Sequence, residues 1–454
     1  MYRFFLLTFA ILGACNPIYQ DEIASRAETK WQDSLPTNPF PRAGLRSPAY
    51  SNLDLARDFL DLSFSLESGR SLPVFTRFNG PISAHLPNAI PKSLATDLNR
   101  LIQRLQNEAN LDIYLTNSDQ ANITIQPVLR SEIHKVLPNA ACFVAPNVST
   151  LAEFQRQSNT KTTSWSHQTE RKKVAIFLPY DAAPQELRDC LHEEFAQALG
   201  PLNDLYRLTN SVFNDDNVHT ILTGFDMLIL KITYAPELRS GMSRTQVQSL
   251  LPVILAQINP KGEAVEPNYL KATPRLWIDL IQASLNIKLA SSKRRTAAHQ
   301  SVEIAQARGW QDHRLGLSYF ALALMTEPQD PQHAKTLFQS AMRVFQHSSE
   351  SRLHRAFAAS HLASYALVEG HPQAALDLLE PSINIVMLHE NATLLVTLML
   401  LKAEALEMLD RSAEARSVRL DSLLWARYGF GTEQAWNRKR RDISRLSAQL
   451  RNGG

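Results

Sequence analysis

The sequence predicts an α+β protein, in which a part with mixed strands and helices precedes an all-α part built from helical hairpins. In the first part, short apolar runs typical of strands alternate with amphipathic helical patterns. After about Pro260 the strand signals end, and helical stretches joined by short turns continue along the chain. At 454 residues the chain exceeds one typical hydrophobic core, so two or three domains are expected.

Residues 1–15 are predicted to be a lipoprotein signal peptide that ends in an acylated Cys15. One positive charge at Arg3 precedes an apolar run, and small residues stand directly before the cysteine. The run has about half of the ~20 residues that a membrane-spanning helix needs. The pattern resembles the bacterial lipobox, and an ordinary signal peptide cut elsewhere is the alternative. We therefore expect a lipid-anchored protein facing the periplasm of a Gram-negative bacterium, on either the outer or the inner membrane.

Residues 16–50 are polar and rich in proline, which predicts a flexible tether between the lipid and the folded protein. We place the folded domains at residues 51–262 and 268–454. The net charge of +3 is too small to indicate a nucleic-acid partner, and no basic stripe is interleaved with aromatic residues.

Two cysteines, Cys142 and Cys190, remain when Cys15 is set aside. Cysteines in an oxidising compartment usually pair. A disulfide is favoured over a shared metal ion because neither cysteine has C-x-x-C spacing.

The first domain is predicted to contain several short strands, with one amphipathic helix after the first strand and a second helix after the last. Pro184 suits the first turn of that second helix, and Gly200-Pro201 is a strong stop signal. The polar stretch 155–173 is predicted to be a long surface loop. The strand candidates are residues 72–78, 111–115, 123–128, 142–145 and 174–178, and the first helix covers residues 94–109.

The second domain carries small residues at a fixed place in successive hairpins. Ala334, Ala375 and Ala415 follow short turns at a spacing of about 40 residues. Residues 361–383 resemble a tetratricopeptide hairpin, although the period is longer than the ~34 residues of that repeat. The region is therefore predicted to be tetratricopeptide-like, with an irregular helical bundle as the alternative. Stacked helix pairs form surfaces suited to extended partners, so we expect a protein or peptide partner.

Residues 193–203 have the spacing of the metzincin zinc motif H-E-x-x-H-x-x-G-x-x-H. Glu194 stands at the position of the general base, and Gly200 at the glycine of the turn. The three histidine positions are occupied by Glu193, Gln197 and Asn203.

A shorter H-E-x-x-H motif starting at His192 fails, because Ala196 occupies the second histidine position. His192 is therefore expected at the surface. Farther on, Phe213 stands where metzincins have the methionine of their turn, and residues 223–234 resemble their closing helix. The resemblance covers about residues 50–240 and implies a degenerate metzincin-like domain with a mixed sheet and helices.

The chain also resembles an uncharacterised proteobacterial family, the domain of unknown function 2927. The matching stretches are residues 56–81 and 190–242, which include EEFAQALGPLNDLYRLTNSVFNDDNVHT. Members of that family look like lipoproteins, which agrees with an acylated Cys15. The resemblance implies no particular activity.

The altered motif predicts an impaired metal site. The amide oxygens of Gln197 and Asn203 are weak zinc ligands, and oxygen donors suit calcium or magnesium better. We expect no cofactor and a binding module derived from a metallopeptidase. One alternative is a divalent-metal hydrolase with Glu194 as the catalytic residue. A different fold or a purely structural role in the envelope is another. The weak candidates for metal ligands are Glu193, Asp204 and His219.

Overall fold

The computed structural model describes residues 25–27, 38–40, 50–87, 91–158 and 160–451, with side chains described between residues 38 and 445 of these ranges. Cys15 and most of the expected tether lie outside the described residues. The fold is α+β, as the sequence predicts, with a small mixed sheet followed by a long helical region. No helix in the described ranges combines the length and apolar character needed to cross a bilayer.

The elements are numbered in chain order. The strands are β1 (Ser25–Ala27), β2 (Ile82–His85), β3 (Ile113–Thr116), β4 (Ile123–Val128), β5 (Ala140–Pro146) and β6 (Val174–Pro179). The first seven helices are α1 (Asn52–Ser63), α2 (Lys92–Glu108), α3 (Arg130–Val136), α4 (Leu151–Gln157), α5 (Pro184–Leu199), α6 (Gly224–Thr233) and α7 (Arg244–Ile258). The later helices are α8 (Arg275–Leu285), α9 (Ser291–Ala307), α10 (His313–Thr326), α11 (Pro331–Gln346), α12 (Arg352–Val368), α13 (Pro372–Leu388), α14 (Ala392–Met408), α15 (Ser412–Gly429) and α16 (Glu433–Arg451).

The six strands form one mixed sheet in the order β1-β5-β6-β4-β2-β3. Strands β6, β4, β2 and β3 are parallel neighbours, whereas β5 is antiparallel to both β6 and β1. Every residue of β5 and β6 is buried, because hydrophobic clusters cover both faces of these strands. Helix α5 packs on β5 and β6 and therefore lies at the centre of the molecule.

Most predicted elements of the first domain are present, and the strand predicted at residues 72–78 is wrong. Strand β4 has the predicted bounds, and α5 ends where Gly200 was expected to stop it. Residues 72–78 instead run irregularly beside the turn at residues 240–242, where Phe75 N–H donates to the carbonyl of Met242. Pro73 also removes one backbone donor that a sheet ladder would need.

Two pieces of the expected tether belong to the folded protein instead. Strand β1 pairs with the edge of β5, and the Phe40 side chain is buried with the apolar residues of the last helices. A flexible tether is therefore the wrong description for these pieces. The polar stretch 155–173 also differs from a plain surface loop, because the side chains of Trp165 and Arg171 are buried.

Between residues 275 and 429 the helices form consecutive antiparallel hairpins, α8/α9, α10/α11, α12/α13 and α14/α15. Ala334, Ala375 and Ala415 are each the fourth residue of the second helix in a hairpin, and each is fully buried. This recurring placement confirms helical repeats. Their period of about 40 residues follows from helices of 14 to 18 residues.

The structure contains the predicted disulfide between Cys142 on β5 and Cys190 on α5. The bond joins residues 48 positions apart and fixes the central helix to the sheet. A cross-link over a loop of this length typically stabilises a fold by about 2–4 kcal/mol.

Candidate functional site

Helix α5 carries most of the altered zinc motif, and all of its 16 residues are buried. The sheet strands β5 and β6 lie against it, and helices α2, α6 and α15 pack around it.

The expectation that His192 lies at the surface is wrong. Its ring is enclosed, and Nδ1 accepts a hydrogen bond of 3.2 Å from the backbone N–H of Leu222. Burial lowers the pKa of His192 well below its usual value, so the ring is neutral.

The remaining motif residues are held by protein groups. Glu193 and Glu194 are buried, and Gln197 donates from Nε2 to Oε1 of Glu67 at 3.3 Å. Asn203 lies outside the helix, where its side chain donates to the carbonyl of Asp61 at 3.0 Å. These side chains hold the motif segment against the neighbouring residues 61 and 67.

The guanidinium of Arg171 caps the carboxyl end of α5 and was missed by sequence reasoning. It donates to the carbonyls of Gln197, Ala198 and Gly200 and to Oγ1 of Thr76, at 2.5–3.2 Å. The indole of Trp165 stacks on it, with 4.6 Å between the guanidinium carbon and the ring centroid. Burial lowers the pKa of Arg171 to about 10, so the group remains charged at neutral pH. A cation here also complements the negative end of the helix dipole.

Gly200 permits a close approach between the end of α5 and helix α6. A methyl group on its Cα would lie only 2.7 Å from Cγ2 of Thr233. Gly200 and Thr233 are both buried, so the surrounding side chains have little room to move away from an added methyl group.

We expect Gly200→Ala to lower the free energy of unfolding by about 1–3 kcal/mol, because it overpacks this contact. The double variant Gly200→Ala/Thr233→Ser should recover most of the loss, since it removes the opposing methyl group. Thr233→Ser alone serves as the control. Urea unfolding curves measure all three variants, and a double variant no more stable than Gly200→Ala would contradict the steric explanation.

The turn that follows the motif is fixed by the carboxylate of Asp226 on α6. Oδ1 accepts from the hydroxyl of Ser211 at 2.5 Å, and Oδ2 accepts from the backbone N–H groups of Val212 and Thr223. Phe213, which replaces the expected methionine, is fully buried in the main core. Burial raises the pKa of Asp226 to about 6.

Polar side chains at the start of α5 hold the turn between α13 and α14, and we call this contact the α5 junction (Gln185 and Arg188 with residues 389–393). Arg188 donates to Oε2 of Glu390 at 2.9 Å and to its carbonyl at 2.7 Å. Gln185 accepts from the backbone N–H of Thr393 at 3.0 Å. Arg188 is 1% exposed, whereas its partner Glu390 is partly exposed.

A polar cavity of about 200 Å³ lies beside the α5 junction. Asp97 on α2 borders it and accepts a hydrogen bond of 2.9 Å from the Tyr428 hydroxyl. Burial raises the pKa of this carboxyl. The lining mixes both charges and amides, and includes Asn38, Arg100, Arg104, Asn107, Glu108, His192 and Glu390. Sequence reasoning missed this cavity because its residues come from distant segments.

Three buried histidines, His219, His313 and His354, and the partly buried His389 form what we call the histidine cluster. The ring of His219 lies 5.1 Å from that of His389 and 6.2 Å from that of His354, and the rings of His313 and His354 are 5.6 Å apart. His219 Nε2 donates to the carbonyl of Thr209, and His354 Nε2 bonds to Asp216 at 2.8 Å. His219, a weak metal candidate from the sequence, thus faces the repeat helices instead of the motif residues.

Asp204, another weak metal candidate, is partly exposed and lies beyond the end of α5. In the described part of the chain, no group of three or more histidine, cysteine, aspartate or glutamate residues is arranged to hold a metal ion.

Part of the chain matches a protein-family model. Residues 52–253 match the family model described as "Protein of unknown function (DUF2927)". No curated protein and no solved structure matches the chain. The DUF2927 match spans α1 to most of α7, so it includes the motif helix α5, the capping Arg171 and the disulfide. The repeat region that contributes Glu390 and Tyr428 lies outside it.

Proposed function

We propose that this protein is a membrane-anchored lipoprotein on the periplasmic side of a Gram-negative envelope, and that it binds a protein or peptide partner without cleaving it. The complete burial of α5 carries the proposal. A catalytic zinc site needs its ligands at an open position where the metal keeps an exchangeable water. Here the corresponding helix is enclosed, and its polar groups bind other parts of the protein.

The order of elements supports descent of the DUF2927 segment from a metzincin-like domain. A buried strand precedes the motif helix, and a glycine turn, an irregular turn and a closing helix follow it. On this proposal the ancestral catalytic helix became the joint between the sheet and the repeats. The tetratricopeptide-like repeats then supply the binding surface.

The absence of catalysis is tested with the chain from residue 16, purified without chelator. We expect well under one zinc per chain by elemental analysis, and no cleavage of an unfolded protein substrate. Glu194→Gln should behave like the wild type, because Glu194 activates no water on this proposal. Stoichiometric zinc together with activity that Glu194→Gln removes would establish a metal-dependent hydrolase instead.

Partner binding is tested by photo-crosslinking from single positions in intact cells. Val368 and Leu388 are exposed apolar residues on the repeat helices α12 and α13, and Tyr114 is exposed on β3 of the first domain. We expect a cross-linked product of discrete mass from the two repeat positions and none from Tyr114, the matched control. Products from Tyr114 alone would place the binding surface on the sheet and contradict the proposal.

The anchor is tested separately by Cys15→Ser. We expect this variant to lose the lipid mass on its N-terminal peptide and to leave the membrane fraction, or to remain unprocessed. Unchanged fractionation with no lipid on the wild-type peptide would remove the anchor from the proposal while leaving partner binding intact.

A further inference from the structure

The outer face of helix α15 carries an apolar stripe that no described residue covers. Leu420, Leu423 and Leu424 expose 68%, 38% and 53% of their surfaces. Residues three and four positions apart lie on one face of a helix, so the three side chains form a single patch. Leucine is one of the side chains most often buried in folded proteins, so three exposed leucines on one face indicate an interaction surface.

Arginines bound this stripe at both ends. Arg416 lies four residues before Leu420, and Arg427 three residues after Leu424, and both are exposed. The acidic residues of the helix, Glu414 and Asp421, lie to one flank, because each residue turns the helix by about 100°. The centre of the face is therefore apolar and cationic.

Helix α16 extends the positive charge beyond α15. Its apolar face packs inward through Trp436 and Ile443, whereas Arg438, Arg440, Arg441 and Arg445 are exposed. Residues 411–451 contain ten lysines and arginines but four acidic residues, and the rest of the chain is net acidic. Such asymmetry between segments is typical of a chain that contacts an anionic surface.

The N-terminal segment contacts the same helix. Phe40 is buried against Trp425 of α15, with 4.6 Å between the ring centroids. In the sequence, β1 lies between Cys15 and Phe40 and pairs with β5, so the segment meets the edge of the sheet first and α15 afterwards.

We infer that the outer face of α15, together with the exposed arginines of α16, docks on the surface of an anionic lipid bilayer. The leucines enter the boundary between head groups and acyl chains, and the arginines contact lipid phosphates, as in peripheral amphipathic helices. A second copy of the chain suits this face poorly, since a two-fold contact would bring the same arginine-bounded stripes together.

The test uses the chain from residue 16, which keeps every residue that the structure describes and lacks Cys15. We expect it to co-sediment with phosphatidylethanolamine vesicles containing phosphatidylglycerol, and not with pure phosphatidylcholine vesicles. Binding should weaken in about 1 M salt, where the Debye length falls to roughly 3 Å. The double variants Leu420→Ser/Leu424→Ser and Arg416→Gln/Arg427→Gln should each lower the bound-to-free ratio by about tenfold or more.

Leu276→Ser is the matched control, because Leu276 is 62% exposed on α8 and far along the chain from the stripe. It should bind vesicles like the wild type, and equal thermal midpoints would show that all variants are folded.

Equal binding to neutral vesicles, or unaltered binding by both double variants, would overturn the inference. A dimer in sedimentation velocity that the leucine variant abolishes would assign the face to self-association. Because Cys15 is absent, failure here leaves the anchor and partner proposals standing.

Discussion

Replacing Arg171 by alanine is expected to lower the free energy of unfolding by about 3–5 kcal/mol. The variant leaves the carbonyls of Gln197, Ala198 and Gly200 buried without their donors, and each unsatisfied buried group costs about 1–3 kcal/mol. It also removes the stacking on Trp165 and opens a cavity in the core. Urea unfolding followed by far-ultraviolet circular dichroism measures the loss.

The neighbouring Lys172→Ala is the matched control. Its side chain is 73% exposed and pairs only with Glu170 in the described residues, so the change should stay within about 0.5 kcal/mol. Arg171→Lys should fall between the two, because an ammonium group cannot reach all of the oxygens that the planar guanidinium serves. Equal losses for Arg171→Ala and Lys172→Ala would show that the cap contributes nothing.

Acidification from pH 7.5 to pH 5 is expected to destabilise the protein through the histidine cluster. Burial lowers the pKa of His313 to about 4 and that of His389 to about 4, and it lowers the pKa of His219 as well. A group whose pKa is lower in the folded state adds stability above its unfolded pKa, here about 6.5. That stability is lost as the pH falls toward 4. Linkage gives about 2 kcal/mol at pH 5 for each of His313 and His389.

Carboxyl groups with raised pKa values act in the opposite direction. Asp226, with a folded pKa of about 6, favours the fold as it becomes protonated and offsets about 1 kcal/mol of the loss. Burial raises the pKa of Asp97 and Glu350 too. The charged groups Asp216, Asp312, Arg314 and Arg352 contribute to the field around the cluster. A difference between variants therefore isolates the histidines better than the wild-type curve alone.

The variant His389→Gln keeps a polar side chain that does not titrate. We expect it to reduce the loss between pH 7.5 and pH 5 by about 2 kcal/mol relative to the wild type. His333→Gln is the control, because His333 is exposed at the start of α11 and should leave the pH dependence unchanged. Urea unfolding of the wild type and both variants at pH 7.5 and pH 5 measures these differences in the free energy of unfolding. Identical pH dependence in the wild type and His389→Gln would exclude the cluster as the cause.

Local signals explain what the sequence predicted well. Pro184 and Gly200-Pro201 bound α5 because proline suits a first turn and the Gly-Pro pair stops a helix. The alternation and β-branching of residues 123–128 predict β4 for a similar reason. The pairing of Cys142 with Cys190 needed only the cysteine count and an assumed oxidising compartment.

The errors concern residues whose environment is made by distant segments. His192 was expected at the surface because its H-E-x-x-H motif fails at Ala196, but α2 and the loop before α6 enclose it. Arg171 lies in a polar stretch, and nothing local reveals that its partners are the carbonyls of α5. The spacing of apolar residues along α5 could not indicate that the helix is buried on every side. Its polar residues are buried because they form hydrogen bonds with the repeat region.

The α5 junction also determines when during biosynthesis the first domain can be completed. Gln185 forms hydrogen bonds with Asn391 and Thr393, which lie 206 and 208 positions farther along the chain. Asp97 accepts a hydrogen bond from Tyr428, which lies 331 positions away. Contacts of such long sequence separation form late and slow the folding of a chain. While the chain is still emerging, α5 therefore lacks the repeat helices that cover it. We expect the nascent DUF2927 segment to need a chaperone until the last hairpin has arrived.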